Sequence, residues 1–350
     1  MNTQELPMIL FTVIAQMSVG AFWALGTIHL CGLRKKIAPE SVDRVTNAAL
    51  FAVGPLLILG FIAAFFHLSD PLHAIYTLSH VGSSWLSREL LFGVLFGLLG
   101  FIFALAQWFG RLGRVAREVL AALAALAGLG LLVSMSGVYY SVRTIPAWNT
   151  FAVPVFFFSS AILTGTLAVA LALLVVWNHF NRAAVLARAE NPRDLHRKKN
   201  MTEKKIGQLL SSRLFGVHDG SSLDENLVAL VRSSLQWLSI AAAAAGIIIF
   251  ITYPLYVLQL AQGNQAAQHV AQELSASVLA WRLCLLGVAV LLAGTFAAVR
   301  ARISMTPHAV LTAMLIAAFV LALVSELLGR SLHYEGLWHV GLNTLQVFAQ

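Results

Sequence analysis

Charged residues are scarce in this chain, and their scarcity excludes an ordinary soluble fold. Asp, Glu, Lys and Arg make up 11% of the 350 residues, whereas an average soluble domain has about 25%. Hydrophobic residues make up 59%, and runs of roughly 20 apolar residues recur along the whole chain, which indicates membrane-spanning helices. The alternating segments of about 10 residues that are typical of membrane β-barrels are not found.

Cysteine and suitably placed histidine are also lacking. The two cysteines, Cys31 and Cys284, belong to no CxxC pair, so they provide no framework for zinc or an iron–sulfur cluster. Haem held by two histidines needs them at matched depth inside the spans, but the histidines here fall at span ends or in loops. We therefore expect no haem and no metal in this chain, and any electron transfer must reach metal centres on another protein.

The apolar runs predict an all-α, polytopic integral membrane protein with eight transmembrane helices in a bundle. A polar, basic segment at 179–234 divides it into a five-helix part (1–178) and a three-helix part with an outer tail (235–350). The first run is too long to be a signal peptide, so we expect it to be a membrane span. The predicted spans are 8–32, 46–66, 88–109, 117–140, 151–178, 235–259, 275–299 and 307–328.

The distribution of Lys and Arg predicts the orientation of these spans. The 1–2, 3–4, 5–6 and 7–8 loops are basic, whereas the alternate loops hold almost only Arg88, Arg143 and Arg330, with Arg282 ambiguous between loop and span. Basic loops face the cytoplasm, so both termini are expected outside (N-out, C-out). This asymmetry and contact with anionic membrane lipids account for the net charge of +8, and nucleic-acid binding is not indicated.

The segment from His67 to Glu89, between spans 2 and 3, gathers ionisable groups at a membrane boundary. The imidazole of His67 titrates near neutral pH and can hydrogen-bond a quinone or quinol, or it can stabilise the C-terminus of its helix. Glu89 opens span 3, where the helix N-terminus favours a carboxylate and Ser84 or Ser87 can cap the helix. It can equally accept a proton. The segment favours proton handling for a lipid-soluble redox carrier, and its weaker candidates are Asp70, His73 and His80.

Two more polar and aromatic regions are predicted on the same outer face. Tyr139, Arg143 and Trp148 follow span 4, and Trp148 fits the interfacial aromatic belt. Glu326 and Arg330 are spaced i,i+4 near the end of span 8. We expect them to form an ion pair or to line a headgroup pocket. Three separate regions of sequence therefore converge on one membrane surface.

Several of these motifs, taken in order, resemble the membrane-anchor subunit of bacterial dimethyl sulfoxide reductase. Residues 60–71, GFIAAFFHLSDP, are similar to that family's GFIxxxxHLGxP signature, with Ser69 and Asp70 as departures. The other matching segments are residues 6–13 with Gln16 and Gly20, LSRE at 86–89, YYSVRTIPAW at 139–148, and ELLGR at 326–330 followed by Tyr334.

The resemblance implies a subunit of the bacterial inner membrane that binds no haem and oxidises menaquinol. Its implied partners are an iron–sulfur electron-transfer subunit and a molybdopterin catalytic subunit, and the terminal electron acceptor stays open. The family's implicated histidine and glutamate map onto His67 and Glu89. We expect the remaining candidates to shape the quinol pocket or to dock the partner: Ser87, Tyr139, Arg143, Trp148, Glu326 and Arg330.

Two other functions stay open on the sequence alone. A proton-coupled secondary transporter would need ionisable residues or broken helices near the bilayer midplane. Pro154 and Pro254 are candidate breaks, but no charge stands out near the middle of a predicted span. A purely structural anchor would dock its partners without binding quinol, and binding of a quinol analogue would distinguish it from the first hypothesis.

Overall fold

The described part of the protein is helical and contains no strand. The computed structural model describes residues 6–38, 41–43, 45–47, 49–50, 54–55, 58–59, 74–189, 225–276, 278–303 and 309–340. Its main helices are α1 (Leu6–Arg34), α2 (Trp85–Phe109), α3 (Arg114–Tyr140), α4 (Ala152–Ala189), α5 (Glu225–Ala261), α6 (Gln265–Ala276), α7 (Leu279–Leu291), α8 (Ala298–Ile303) and α9 (Ala309–Glu335).

Seven helical segments in this part are long and apolar enough to cross a membrane. They are α1 to α5, the α7–α8 unit, which is continuous through a π-helical turn at Leu292–Ala297, and α9. The all-α, multi-span architecture is therefore confirmed. The predicted span 46–66 falls largely on residues outside the described part. Those residues that are described between 41 and 59 are helical.

Several helix ends differ from the predicted boundaries. α4 continues to Ala189 and α5 begins at Glu225, so both ends of the segment predicted as a loop at 179–234 are helical. The seventh span begins at Leu279 rather than 275, because the preceding residues form the separate amphipathic helix α6. α9 continues to Glu335, beyond the predicted 328. The apolar run of span 8 ends before the first charged residues, whereas α9 continues through Arg330, which is buried in the bundle.

α1 and α4 cross with their backbones in close contact. A Cβ on Gly20 would lie 1.8 Å from the carbonyl oxygen of Ala161, and one on Gly165 would lie 2.4 Å from the backbone nitrogen of Ala21. Small residues allow membrane helices to approach this closely, and close packing replaces the hydrophobic effect as the force between them. Around this centre, α4 also packs on α5, α2 pairs with α3, and α7 pairs with α9.

The direction of the helices brings two different sets of side chains to the two ends of the bundle. One end, which we call the aromatic end, is formed where α1, α2, α4 and α7 begin and α3, α5 and α9 finish. Tyr139, Trp148 and His333 meet there. The opposite end, which we call the basic end, holds the last turn of α1 with Arg34 and the first turn of α3 with Arg114.

The α1–α4 crossing predicts unequal effects for two glycines of the same helix. Gly20→Ala places a methyl group against the backbone of α4, so we expect a loss of about 1–3 kcal/mol of stability from overpacking. Gly26→Ala adds a methyl group with no atom within 4 Å and should be neutral or slightly stabilising. Thermal unfolding of the purified variants in detergent measures the difference, and equal unfolding temperatures would contradict the crossing.

Candidate functional site

The imidazole of His333 lies at the centre of an aromatic cluster at the aromatic end. It stacks on Trp148 with ring centroids 5.6 Å apart, and it meets Tyr139 edge-on at 4.6 Å. The indole N–H of Trp148 donates a hydrogen bond to the backbone carbonyl of His333 at 2.9 Å. The hydroxyls of Tyr139 and Tyr334 are hydrogen-bonded at 2.9 Å. The cluster therefore joins the end of α3, the loop before α4 and the last turns of α9.

Arg330 connects the same part of α9 to α1 and α4. Its side chain is 5% exposed, and its Nη2 donates a hydrogen bond to Oε1 of Gln16 at 2.8 Å. The guanidinium also lies over the ring of Phe157, with Cζ 3.9 Å from the centroid. An uncompensated buried charge is costly, and the amide oxygen and the ring face together offset part of that cost.

A second buried guanidinium, that of Arg282, pairs α7 with α9. Its Nη2 lies 3.5 Å from Oε1 of Glu326, and the two residues are 2% and 3% exposed. The guanidinium lies over the ring of Tyr253, 4.2 Å from the centroid. A Cβ on Gly329 would lie 2.3 Å from Cζ of Arg282. Glycine at this position is therefore what leaves room for the arginine.

Glu89 lies in the second turn of α2, at the same end of the bundle. Ser84 caps this helix by accepting a hydrogen bond from the backbone N–H of Ser87 at 3.3 Å. Arg88 turns away from Glu89 and donates to the carbonyls of Val81 and Gly82. Among the residues that the structure describes, the carboxylate of Glu89 has no hydrogen bond or ion pair, although it interacts electrostatically with the Tyr139–Tyr334 pair.

Seven polar atoms in this region are buried and have no hydrogen-bond partner among the described residues. They are Gln16 Nε2, Ser87 Oγ, Arg330 Nε, His333 Nε2, Arg282 Nε and Nη1, and Glu326 Oε1. Nearly all buried polar atoms in native proteins are hydrogen-bonded, so a group of exceptions indicates water or a ligand. The aromatic end therefore combines hydrogen-bond donors, a carboxylate and flat aromatic surfaces. Together these groups are suited to binding an aromatic ring that carries polar substituents.

The sequence model of the family described as DMSO reductase anchor subunit (DmsC) matches residues 1–189, which is more than half of the chain. This chain belongs to that family. The matched part contains α1 to α4 and therefore Gln16, Glu89, Tyr139 and Trp148. The motif at Glu326 to Tyr334, which also resembled the family, lies beyond the match.

Three curated relatives are similar to this protein over about half of its length. Two of them are the C chains of anaerobic dimethyl sulfoxide reductases. The one from Haemophilus influenzae is 33% identical over 50% of this protein and 61% of its own length. The one from Escherichia coli K12 is 31% identical over 47% and 55%. The YnfH chain of an anaerobic dimethyl sulfoxide reductase, also from E. coli K12, is 28% identical over 51% and 60%.

The matched part of this protein spans about 60% of the length of these relatives. Family membership and the seven described apolar helices make it a multi-pass protein of the bacterial inner membrane. The descriptions of the family and of its relatives agree with the resemblance drawn from the sequence motifs.

The structure brings some of the predicted site residues together and separates others. Tyr139, Trp148 and Arg330 meet around His333, and Ser87 is buried near the start of α2. Arg143 is exposed on the loop between α3 and α4. His80 is exposed as well, and its Nδ1 bonds the hydroxyl of Ser79. Outside the described residues lie His67, Asp70 and His73.

The predicted ion pair between Glu326 and Arg330 is wrong. Within the described ranges, Glu326 pairs with Arg282 and Arg330 pairs with Gln16, because successive turns of α9 face different neighbouring helices. The sequence patterns did not predict that Arg282 and His333 would lie in this site. Their signals in the sequence were an arginine at the start of an apolar run and a histidine one turn after Gly329.

Among the described residues, no group of three or more His, Cys, Asp or Glu side chains could hold a metal ion. The candidate site is thus a cluster of hydrogen-bonding and aromatic groups.

The buried pair predicts a characteristic result in a double-mutant cycle. Arg282→Leu alone leaves the Glu326 carboxylate buried without its partner, so we expect about 3–5 kcal/mol of destabilisation. Adding Glu326→Leu removes the second charge and should restore most of the stability. Unfolding of the single and double variants in detergent gives the coupling energy, and purely additive losses would show that the pair does not form.

Proposed function

We propose that this protein is the membrane anchor and menaquinol-oxidising subunit of a molybdopterin S- or N-oxide reductase complex of the dimethyl sulfoxide type. The observation that carries the proposal is the group of buried polar atoms at the aromatic end that lack described partners. They surround aromatic side chains and lie at the same end as the carboxylate of Glu89. A quinol headgroup offers two hydroxyls and a flat ring, which match these groups.

The proposed reaction converts menaquinol to menaquinone with loss of two electrons and two protons. The carboxylate of Glu89 accepts a proton from one quinol hydroxyl, and His67, at the predicted end of span 2, binds the other hydroxyl and accepts the second proton. The protons leave toward the outer face that the distribution of basic loops predicts. The electrons pass one at a time to an iron–sulfur subunit docked on that face, and from there to the molybdopterin subunit.

Several aromatic-end residues would position the ring for this reaction. Trp148 and His333 stack on each other with their planes 17° apart, and an outer face of this pair would contact the quinol ring, next to Tyr139. Arg330 and Gln16 supply N–H donors that could stabilise the oxygens as negative charge develops on proton loss. Geometry of this kind keeps the headgroup oriented while its tail stays in the lipid.

A purely structural anchor gives no reason for these unsatisfied atoms, because docking of partners outside the membrane does not require polar groups buried in the bundle. A proton-coupled transporter has one observation in its favour. The Arg282–Glu326 pair is ionisable and buried, with Glu326 about 14 Å inside the end of α9 at 1.5 Å per residue. Membership of the anchor family favours quinol oxidation, and proton uptake by vesicles containing this protein alone tests the transporter.

Neutralising the proposed proton acceptor should stop quinol oxidation without dissociating the complex. Glu89→Gln keeps the size of the side chain but removes its basicity, so we expect quinol-dependent reduction to fall by about 10²-fold or more. Glu118→Gln is the matched control, because Glu118 lies at the basic end, paired with Arg114. A soluble electron donor that bypasses the anchor should support equal rates in both variants. Normal quinol turnover in Glu89→Gln would refute the assignment.

Two arginines predicted for the site should behave differently. Arg330→Gln removes a buried donor that contacts Gln16 and Phe157, so we expect quinol-analogue affinity to fall by about tenfold or more. Arg143→Gln changes an exposed loop residue and should leave affinity unchanged. Titration of the two variants with a fluorescent quinol analogue measures the difference. Equal affinities would place the headgroup elsewhere.

A further inference from the structure

A cavity lies at the basic end, opposite the aromatic end that holds the proposed quinol site. Its volume is about 490 Å³, and it is lined by α1, the end of α2, the first turns of α3 and described residues between 43 and 50. His29, which lines this cavity, is 13 residues from Gln16 on α1, or about 20 Å along the helix. The two sites are therefore separate.

Polar side chains from three parts of the sequence meet in this cavity. His29 Nδ1 lies 3.5 Å from Asp43 Oδ1, and Arg117 Nη1 lies 3.7 Å from Asp43 Oδ2. Arg117 also donates a hydrogen bond to the side-chain oxygen of Gln107. Its Nε is buried and has no hydrogen-bond partner in the described part of the protein. A strong donor is thus held at the cavity with capacity for another acceptor.

The other walls of the cavity are apolar and lead into a longer groove. Phe22, Leu25 and Leu50 line both the cavity and a groove of about 850 Å³ between α1 and α2. Ser18 is the only hydroxyl among the described residues that line this groove. The two spaces together are amphipathic, with a polar chamber at the membrane boundary and an apolar channel directed toward the bilayer centre.

The excess of positive charge at the basic end favours an anionic headgroup. The described lining of the cavity holds two arginines, Arg114 and Arg117, and two acids, Asp43 and Glu118. The excess comes from basic residues of the same end that lie outside this lining: Arg34, Lys35, Lys36 and Arg111. Basic pockets between membrane helices bind anionic lipid headgroups. A quinone headgroup is uncharged and would gain nothing from this excess.

We propose that the basic-end cavity binds an anionic phospholipid, with its phosphate beside Arg117 and His29 and an acyl chain in the groove between α1 and α2. The lipid would fill the gap between the first helix and the α2–α3 hairpin. This site is independent of quinol oxidation at the aromatic end.

The test is native mass spectrometry of the full-length protein released from nanodiscs that contain phosphatidylglycerol, phosphatidylcholine or menaquinone. We expect phosphatidylglycerol to be retained at least fivefold more often than phosphatidylcholine. Arg117→Gln should abolish this preference. Arg111→Gln, the matched control, removes a charge at the same end from a residue outside the cavity lining and should keep it.

A second pair of variants tests the cavity independently, in case Arg117→Gln fails to fold. Ala122→Phe places a large side chain in the cavity from an exposed position of α3. The control is Leu123→Phe, which enlarges the neighbouring exposed side chain, because Leu123 does not line the cavity. Only the first should lose bound phosphatidylglycerol. Equal retention of the two phospholipids would overturn the proposal. Retention of phosphatidylglycerol that is unaffected by Arg117→Gln and Ala122→Phe would overturn it as well, and so would preferential retention of menaquinone.

Discussion

The contact of α1 with α4 is the constraint on which the aromatic end depends. Gly20 and Ala161 bring the two backbones together, and Gln16 and Phe157 each lie one turn nearer the aromatic end. Because residues four apart share a helix face, the crossing that joins Gly20 to Ala161 also sets the spacing between Gln16 and Phe157. Arg330 of α9 contacts both. A backbone contact between small residues thus determines where a buried guanidinium can lie.

The burial of two charged side chains explains why the helices must be positioned so closely. A guanidinium transferred out of water keeps its charge, so its donors must find acceptors within the protein. Arg282 has Glu326 and the ring of Tyr253, made accessible by the missing side chain of Gly329. Arg330 has only an amide oxygen and a ring, and its Nε lacks a described partner. Each arginine thus ties neighbouring helices together, and each keeps buried N–H donors without a described hydrogen-bond partner, which are Nε of Arg330 and both Nε and Nη1 of Arg282.

The sequence predicted the features that depend on local composition and missed those that depend on tertiary contacts. Apolar runs located the helices, and their alternation placed Tyr139, Trp148 and Arg330 at one end. The i,i+4 spacing of Glu326 and Arg330 suggested a pair, but spacing on one helix says nothing about neighbouring helices that compete for each side chain. The sequence left the position of Arg282 ambiguous, because the groups that allow its burial, Glu326 and Gly329, are more than 40 residues away in sequence.

The candidate site also draws on both halves of the protein. The family match ends at residue 189, so Gln16, Glu89 and Trp148 belong to the matched part, whereas Arg330 and His333 come from α9. Without α9 the donors of α1 and α2 would face an open groove, and without α1 and α4 the Arg330 guanidinium would have neither Gln16 nor Phe157. Neither half forms the cluster alone. The second half of the protein, although outside the family match, therefore contributes side chains to the same candidate site.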